Sequence, residues 1–194
     1  LVAARFRRLA DILEIEGDAV EMEEGEAENV LGKDAIRKSR QSLMFVSTRR
    51  SAEAVAERLA KSLSISSPEL AKLSREVEKV LPAPTKQCRR LASCILKGTA
   101  FHHAGLVAKQ RKLVEDAFRA GHIKILSSTP TLAWGINMPA YRVIIRDVKR
   151  YGAYGYDYIP VLEVQQMQGR AGRPAYDTEG EAIIVGKSAA EAEE

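Results

Sequence analysis

Five short apolar runs alternate along the chain with segments of helical periodicity, and they lie near residues 42, 99, 123, 143 and 182. Short apolar runs bounded by turns are typical of strands that are buried on both faces. Helices that connect such strands favour a parallel sheet, because a crossover must return the chain to the same end of the sheet. The sequence therefore predicts an α/β fold, with a parallel sheet flanked by helices.

The length of 194 residues suits one domain with a sizeable core. We expect this domain at residues 41–188, after a segment of linker strands at 1–40 and before a polar tail at 189–194. Within the first segment, Arg5 to Glu24 predicts a hairpin or two short strands, and 28–40 predicts a helix.

The composition, 45% hydrophobic and 29% charged, is that of an ordinary soluble globular protein. No apolar run approaches the length needed to cross a bilayer, and the N-terminus carries no signal-peptide pattern, so the expected location is the cytoplasm. Since the chain begins with Leu1 and ends in the polar EAEE, both ends are expected to be cuts in a longer protein.

The net charge of +4 is unevenly distributed, because nine acidic residues and no Lys or Arg lie between Asp11 and Glu28. The remainder is more basic, which fits a polyanionic partner and fits a solvated mixed-charge surface equally well. Cys88 and Cys94 lack the spacing of a zinc or redox motif, so we expect reduced helix residues and no metal site.

The segment QQMQGRAGRP, from Gln165 to Pro174, is the strongest functional signal. A helix predicted at 162–168 places Arg170 and Arg173 at its end, with glycines beside them. Two guanidiniums in this arrangement suit the oxygens of a phosphoryl group in transfer, since their charge is permanent and their donors are planar. A basic loop that touches another anion or a surface carboxylate is the alternative.

Gln166, Gly169, Arg170, Gly172 and Arg173 resemble the sixth motif of superfamily-two helicases. The segments FHHAGL at 101–106 and TPTLAWGINMPA at 129–140 narrow the resemblance to archaeal fork-repair DNA helicases and their superkiller and spliceosomal RNA-helicase relatives. It covers roughly residues 40–186.

The resemblance implies the second RecA-like domain of such a helicase, a P-loop NTPase fold that lacks its own P-loop. The sequence has no Walker A lysine and no DExH pair after a strand, so ATP with Mg²⁺ is expected to be held mainly by a preceding domain. Gly180 to Ser188 superficially resembles a P-loop, but five residues separate Gly180 from Gly186 where that motif has four.

The resemblance also implies residue roles. Catalytic contacts to ATP are expected from Gln166, Arg170 and Arg173, and nucleotide-facing positions at Gly135, Asn137 and Gly169. Contacts with the nucleic-acid backbone are expected from Thr48 and Arg49 after the first predicted strand, and from Thr129 after the third.

Two adjacent histidines, His102 and His103, point in opposite directions if they lie on a strand, which disfavours a shared metal ion. By resemblance, one of them fixes its loop and the other, His103, contacts a phosphate. Thr48 is also a candidate cap for the following helix, and the two roles are compatible.

A β-hairpin insertion is predicted near 147–160, where four tyrosines fall within eight residues around Gly152 and Gly155. The resembled repair helicases hold there a hairpin that wedges between duplex strands. The predicted nucleic-acid contacts of the hairpin are Lys149, Arg150, Tyr151, Tyr154 and Tyr156. The alternative is a hairpin whose tyrosines cover its own sheet.

Taken with the resemblance, these features predict the motor half of an ATP-dependent DNA helicase that moves 3′ to 5′ on single-stranded DNA and unwinds forks. An RNA helicase of the same branch and a non-hydrolytic nucleic-acid-binding module stay open. Expected partners are single-stranded and forked DNA, the preceding RecA-like domain and following accessory domains. We expect a monomer with no membrane partner, and no activity from the fragment alone.

Overall fold

The architecture is that of a computed structural model, which describes residues 3–6, 26–132, 138–152, 155–173 and 177–186. The strands in these ranges are β1 (Ala3–Phe6), β2 (Ser42–Phe45), β3 (Thr99–His102), β4 (Ile125–Ser128), β5 (Arg142–Ile145), β6 (Lys149–Gly152), β7 (Gly155–Tyr158) and β8 (Glu179–Ile184). The helices are α1 (Glu26–Arg37), α2 (Arg49–Ser62), α3 (Pro68–Glu78), α4 (Lys86–Ile95), α5 (Ala108–Arg119) and α6 (Val161–Gln168). None of these helices is long and apolar enough to cross a membrane.

Six strands form one sheet in the order β1-β8-β5-β2-β4-β3, and every neighbouring pair is parallel. The predicted α/β fold is confirmed, and the five predicted strands correspond to β2, β3, β4, β5 and β8. The predicted hairpin insertion is also confirmed, since β6 and β7 form a separate antiparallel pair. Most of the hairpin predicted between Arg5 and Glu24 lies outside the described residues; residues 5 and 6 belong to β1, which pairs with β8.

The central strands are buried along their whole length, which explains why they read as apolar runs in the sequence. All residues of β2, β3, β4 and β5 are buried. In the middle of the sheet, Leu43 of β2 lies opposite Leu126 on one side and Val143 on the other. Each such aliphatic side chain contributes roughly 1.5–3 kcal/mol through removal from water.

We name the two ends of the parallel sheet the carboxyl end and the amino end, after the strand termini that meet there. The segment from β4 to β5 and the segment from β5 to β8 both begin at the carboxyl end. Each must return to the amino end before its next strand starts, because the three strands are parallel. Two stretches of chain therefore connect the same two ends of the sheet.

A buried arginine attaches α1 to the sheet. Arg142 is fully buried; its Nε donates to Glu181 Oε2 at 2.6 Å, and its Nη1 donates to the Leu31 carbonyl at 2.7 Å. Its Nη2 donates to Asp34 Oδ2 at 2.6 Å. Residues 26–37, placed by sequence before the domain at 41–188, thus pack against its sheet, and the helix predicted at 28–40 is confirmed as α1.

Replacement of Arg142 by Met should lower the free energy of unfolding by about 3–5 kcal/mol, since it leaves the buried Glu181 carboxylate without its guanidinium. The additional change Glu181→Gln should recover part of this loss because it removes the uncompensated charge. Urea denaturation of the chain measures both effects. Arg119→Met is the control, since Arg119 pairs with Asp116 on the exposed side of α5 and should cost less than about 1 kcal/mol. Equal losses at positions 142 and 119 would contradict the assignment.

Candidate functional site

Residues at the carboxyl end of the sheet line a cleft of about 370 Å³. It is lined by Ser47, Arg49, Ala104, Thr129, Pro130, Thr131, Arg150 and Glu163. The structure thus brings together Arg49, Thr129 and Arg150, which lie far apart in the sequence and were each predicted to contact nucleic acid. Ligands of open parallel sheets bind at this end of the strands.

The turn after β2 is held by hydrogen bonds within the chain. Thr48 caps α2: its hydroxyl accepts from the Ser51 amide at 3.0 Å and lies 2.8 Å from the Ser51 hydroxyl. The amide of Ser47 donates to Asp147 Oδ2 at 2.8 Å, and the Ser47 hydroxyl donates to the same oxygen at 3.0 Å. Thr48 therefore has the capping role, and Asp147 connects this turn to the base of the hairpin.

Asp147 was not singled out in the sequence, although an acidic residue two positions after a buried strand is a usable signal. It is 8% exposed, and Arg146 donates to both of its carboxylate oxygens. Burial alone raises the pKa of Asp147, but the hydrogen bonds from Arg146 and Ser47 outweigh it and hold the pKa below its usual value. A fixed negative charge at this point keeps the turn in place.

The two histidines at the end of β3 point to different helices. His102 Nε2 lies 2.8 Å from Glu115 Oε1 on α5, and His103 Nε2 lies 3.2 Å from Glu53 Oε1 on α2. The Gly105 amide donates to His103 Nδ1 at 3.1 Å, so Nε2 carries the proton of the neutral ring. Burial lowers the pKa of both imidazoles, against the opposing effect of the two glutamates.

His103 therefore fixes its loop, the role expected for one of the pair. It is 1% exposed, stacks on Phe101 with ring centroids 5.6 Å apart, and uses both nitrogens inside the chain. The phosphate contact expected of His103 stays a prediction. Sequence reasoning did not foresee the burial of this side chain, because its burial depends on α2, which is distant along the chain.

The hairpin carries most of its aromatic side chains on one face. Tyr151 lies opposite Tyr156, and Lys149 lies opposite Tyr158, so these four residues share a face. Tyr151 is 83% exposed and Tyr156 is 58% exposed, while Lys149 Nζ lies 4.1 Å from the centroid of the Tyr158 ring. Exposure of this size disfavours tyrosines that merely cover their own sheet. Tyr154 lies outside the described residues.

Arg150, on the opposite face of the hairpin, connects it to α6. Its Nη1 donates to Glu163 Oε1 at 2.8 Å, and Glu163 is buried in the first turn of that helix. The other end of α6 leads into the glycine- and arginine-rich loop at 169–173. One short helix thus has the hairpin at its start and the predicted phosphate-binding residues at its end.

The loop at 169–173 lies at the amino end of the sheet, with close backbone packing. The Arg170 carbonyl accepts from the Ala140 amide at 3.0 Å, and the Gly172 amide donates to the Ala140 carbonyl at 2.6 Å. Gly172 has a φ of +86°, which favours glycine. A Cβ at Gly180 would lie only 2.3 Å from the Gly172 nitrogen, so glycine is required there for this close approach.

The predicted catalytic side chains lie in this loop and in the last turns of α6. Gln166 and Arg170 are half-buried near the end of α6, and Gly169 caps the helix. Arg173 donates from Nε to Asp177 Oδ2 at 2.8 Å and from Nη2 to Asp177 Oδ1 at 3.0 Å. The phosphate role of these side chains stays a prediction, and Asp177 is a residue that sequence reasoning did not single out.

The segment 129–140 runs from the cleft to the arginine loop. It starts at Thr129, whose hydroxyl lies 3.0 Å from the Thr131 hydroxyl, and it ends at Ala140 beside Arg170 and Gly172. Gly135 and Asn137, the predicted nucleotide-facing residues, lie in this segment but outside the described residues. The described parts of the segment, 129–132 and 138–140, thus lie beside the two groups of predicted site residues.

Comparison with known proteins identifies relatives of the chain. The model of the helicase conserved C-terminal domain family matches residues 84–175. The chain is 47% identical over 166 residues to the ATP-dependent DNA helicase Hel308 of Methanocella arvoryzae, which is 82% of this chain and 22% of that protein. It is 50% identical over 154 residues to Hel308 of Pyrococcus horikoshii and 53% identical over 154 residues to Hel308 of Pyrococcus abyssi, each time 78% of this chain and 21% of the relative. The chain spans about a fifth of the length of these curated relatives.

The close approach at Gly180 can be tested by adding one methyl group. Gly180→Ala should lower the free energy of unfolding by about 1–3 kcal/mol, because backbone atoms of residues 171 and 172 must move. Amide exchange of Gly172 should accelerate as its hydrogen bond to Ala140 weakens. Gly152→Ala is the matched control: the nearest atom to its Cβ would be 3.9 Å away, and the change should stay within about 0.5 kcal/mol. A stable Gly180→Ala variant with unchanged exchange would refute the packing argument.

Proposed function

The chain belongs to the helicase C-terminal domain family, in the form found in Hel308 DNA helicases, and on this premise we propose that it is the second motor domain of an ATP-dependent DNA helicase. The observation that carries the proposal is the arrangement of two sites at opposite ends of one sheet. A cleft with Arg49, Thr129 and Arg150 lies at the carboxyl end, and the arginine loop lies at the amino end. The segment 129–140 and helix α6 connect them.

Hydrolysis is proposed to take place between this domain and a preceding RecA-like domain. ATP with Mg²⁺ supplies a phosphoryl group whose negative charge must be stabilised during transfer. The guanidinium donors of Arg170 and Arg173 fit this requirement, and Gln166 supports their geometry. An arginine that stabilises this charge contributes about 10³ to 10⁵ in rate.

Strand movement is proposed to follow from closure and reopening of the two domains. In the cleft, Arg49 and Arg150 supply cations for the phosphate backbone, and Thr129 supplies a hydroxyl. Because Ala140 is hydrogen-bonded to the arginine loop, a displacement of that loop shifts Ala140, which lies just before β5 in the central sheet. ATP turnover then becomes stepping along one strand, with the 3′ to 5′ direction expected of this branch.

Strand separation is proposed for the hairpin. The exposed rings of Tyr151 and Tyr156 provide a surface on which an unpaired base can stack, and Lys149 adds a cation to the same face. The whole protein is proposed to act as a cytoplasmic monomer on single-stranded and forked DNA. The preceding RecA-like domain and following accessory domains of the same protein are its proposed neighbours, with 41–188 as the core of the domain described.

In the full-length protein, Arg173→Ala should lower the ATPase rate in the presence of single-stranded DNA by about 10³-fold or more, because charge stabilisation at the phosphate is lost. Binding of single-stranded DNA, measured by fluorescence anisotropy without nucleotide, should change by less than about twofold, since Arg173 lies at the end of the sheet opposite the cleft. Arg89→Ala, at an exposed position on α4, is the matched control and should leave both measurements unchanged.

Comparison of ATPase activity with no nucleic acid, with single-stranded DNA and with single-stranded RNA decides between the candidate functions. Stimulation by DNA supports the proposal. Stimulation by RNA alone would identify an RNA helicase of the same branch, and no turnover in any of the three conditions would identify a binding module. Full turnover by Arg173→Ala would remove the catalytic role of that arginine.

If the hairpin separates strands, changes to its exposed tyrosines should slow unwinding without slowing ATP hydrolysis. Tyr151→Ala with Tyr156→Ala should slow unwinding of a forked duplex by at least about fivefold, because one stacked base contributes about 1–3 kcal/mol. ATPase activity with single-stranded DNA should stay within about twofold. Tyr151→Phe with Tyr156→Phe keeps the rings and should unwind at the normal rate. Normal unwinding by the alanine variant would show that these rings do not separate strands.

A further inference from the structure

Asp177 accepts hydrogen bonds from two arginines, Arg173 and Arg40. Its side chain is fully buried, four residues beyond Arg173 and two before β8. It accepts from Arg173 Nε, from Arg173 Nη2 and from the Arg173 amide, the last at 3.0 Å. It also accepts from Arg40 Nη1 at 2.5 Å.

The contacts between Arg173 and Asp177 fix the plane of the guanidinium. Two parallel donors on one side of the fork meet the two oxygens of one carboxylate, which is the bidentate geometry of highest directional specificity. The backbone amide of Arg173 binds the same carboxylate, so both ends of the residue are held by one partner. Rotation of the guanidinium would break two of these bonds at once.

Gln41 holds the guanidinium from another direction. Arg173 Nη1 donates to Gln41 Oε1 at 3.0 Å. The amide nitrogen of Gln41 donates to the carbonyls of Phe118 at 2.6 Å and Ile123 at 2.7 Å, and this settles which end of its amide faces Arg173. Through Gln41, Arg173 is thus connected to the end of α5 and to the start of β2, which both belong to the packed core.

Arg40 balances the carboxylate from the other side. It shares Asp177 with Arg173, and its guanidinium carbon lies 5.0 Å from the centroid of the Tyr141 ring. Burial alone raises the pKa of Asp177, but the contacts with Arg173 and Arg40 outweigh it and lower the pKa. The carboxylate therefore stays charged at neutral pH. Arg40 stabilises this charge, and the charge in turn holds Arg173.

We infer that Asp177 is a positioning residue, which holds the guanidinium of Arg173 in the orientation from which it acts on the transferred phosphoryl group. The inference rests on the proposed function and names a residue outside the segment 165–174. Preorganisation of this kind matters because a misplacement of about 1 Å at a catalytic group costs about 10²-fold in rate. An alternative follows from the same contacts, namely that Asp177 sequesters Arg173 and competes with the phosphate.

The test uses full-length protein with saturating single-stranded DNA. Asp177→Asn should lower kcat of ATP hydrolysis by about 10- to 100-fold, while KM for ATP changes less than about twofold, because orientation is lost and binding is not. Asp34→Asn is the matched control. It weakens the contact of a different aspartate with the buried Arg142, so it should lower stability in urea without lowering kcat.

The double variant Arg173→Ala with Asp177→Asn tests whether Asp177 affects kcat through Arg173 or independently of it. If Asp177 acts through Arg173, the double variant should be no slower than Arg173→Ala alone. Multiplied losses would show an independent role and overturn the inference. If Asp177→Asn does not fold, Asp177→Glu replaces it: the charge is kept but moved by one methylene, and a lower kcat at unchanged KM is again expected.

Two further outcomes separate this inference from the proposed function. If Arg173→Ala keeps full turnover, the catalytic role of Arg173 fails, and the positioning role of Asp177 fails with it. If Arg173→Ala is inactive but Asp177→Asn is as fast as the unmodified protein, only the inference is overturned. If Asp177→Asn is faster than the unmodified protein, sequestration replaces positioning.

Discussion

The parallel pairing of the sheet is the constraint on which the rest of the structure depends. Since β4, β5 and β8 run in the same direction, every connection between them must start at the carboxyl end and return to the amino end. Two such connections hold the predicted site residues, one through 129–140 and the other through the hairpin and α6. They meet again where Ala140 is hydrogen-bonded to the loop at 169–173. The predicted site residues at the two ends of the sheet thus belong to the same two connections.

Ion pairs with buried carboxylates at the amino end serve two different purposes. Arg142 lies between Glu181, Asp34 and the Leu31 carbonyl, so its donors attach α1 to the sheet. Arg173 is held by Asp177 and Gln41 at the surface that the proposed function assigns to ATP. Loss of the arginine from either pair is costly, because it leaves a buried carboxylate, Glu181 or Asp177, without that counter-charge. In the first pair this cost maintains the fold, and in the second it maintains an orientation.

The carboxyl end combines a rigid base with an exposed tip. Asp147 fixes the turn after β2 to the root of the hairpin, and Arg150 fixes the hairpin to Glu163 on α6. Beyond these contacts, Tyr151 and Tyr156 project from the hairpin with most of their surface in water. Exposed rings on a firmly attached hairpin are suited to contact with another molecule, whereas rings needed for stability pack against the core.

The sequence by itself determined the strands, the helix before the arginine loop, the hairpin and the family, because apolar periodicity, glycine placement and motif spacing are local properties of the chain. Only the folded structure shows that His103 is buried, that β1 joins the sheet beside β8, and that the Arg173 guanidinium binds Asp177. These outcomes depend on residues brought together from distant parts of the chain, such as Glu53 with His103 and Gln41 with Arg173. Burial and hydrogen-bond partners are set by packing between such segments, and a linear pattern does not encode which segments meet.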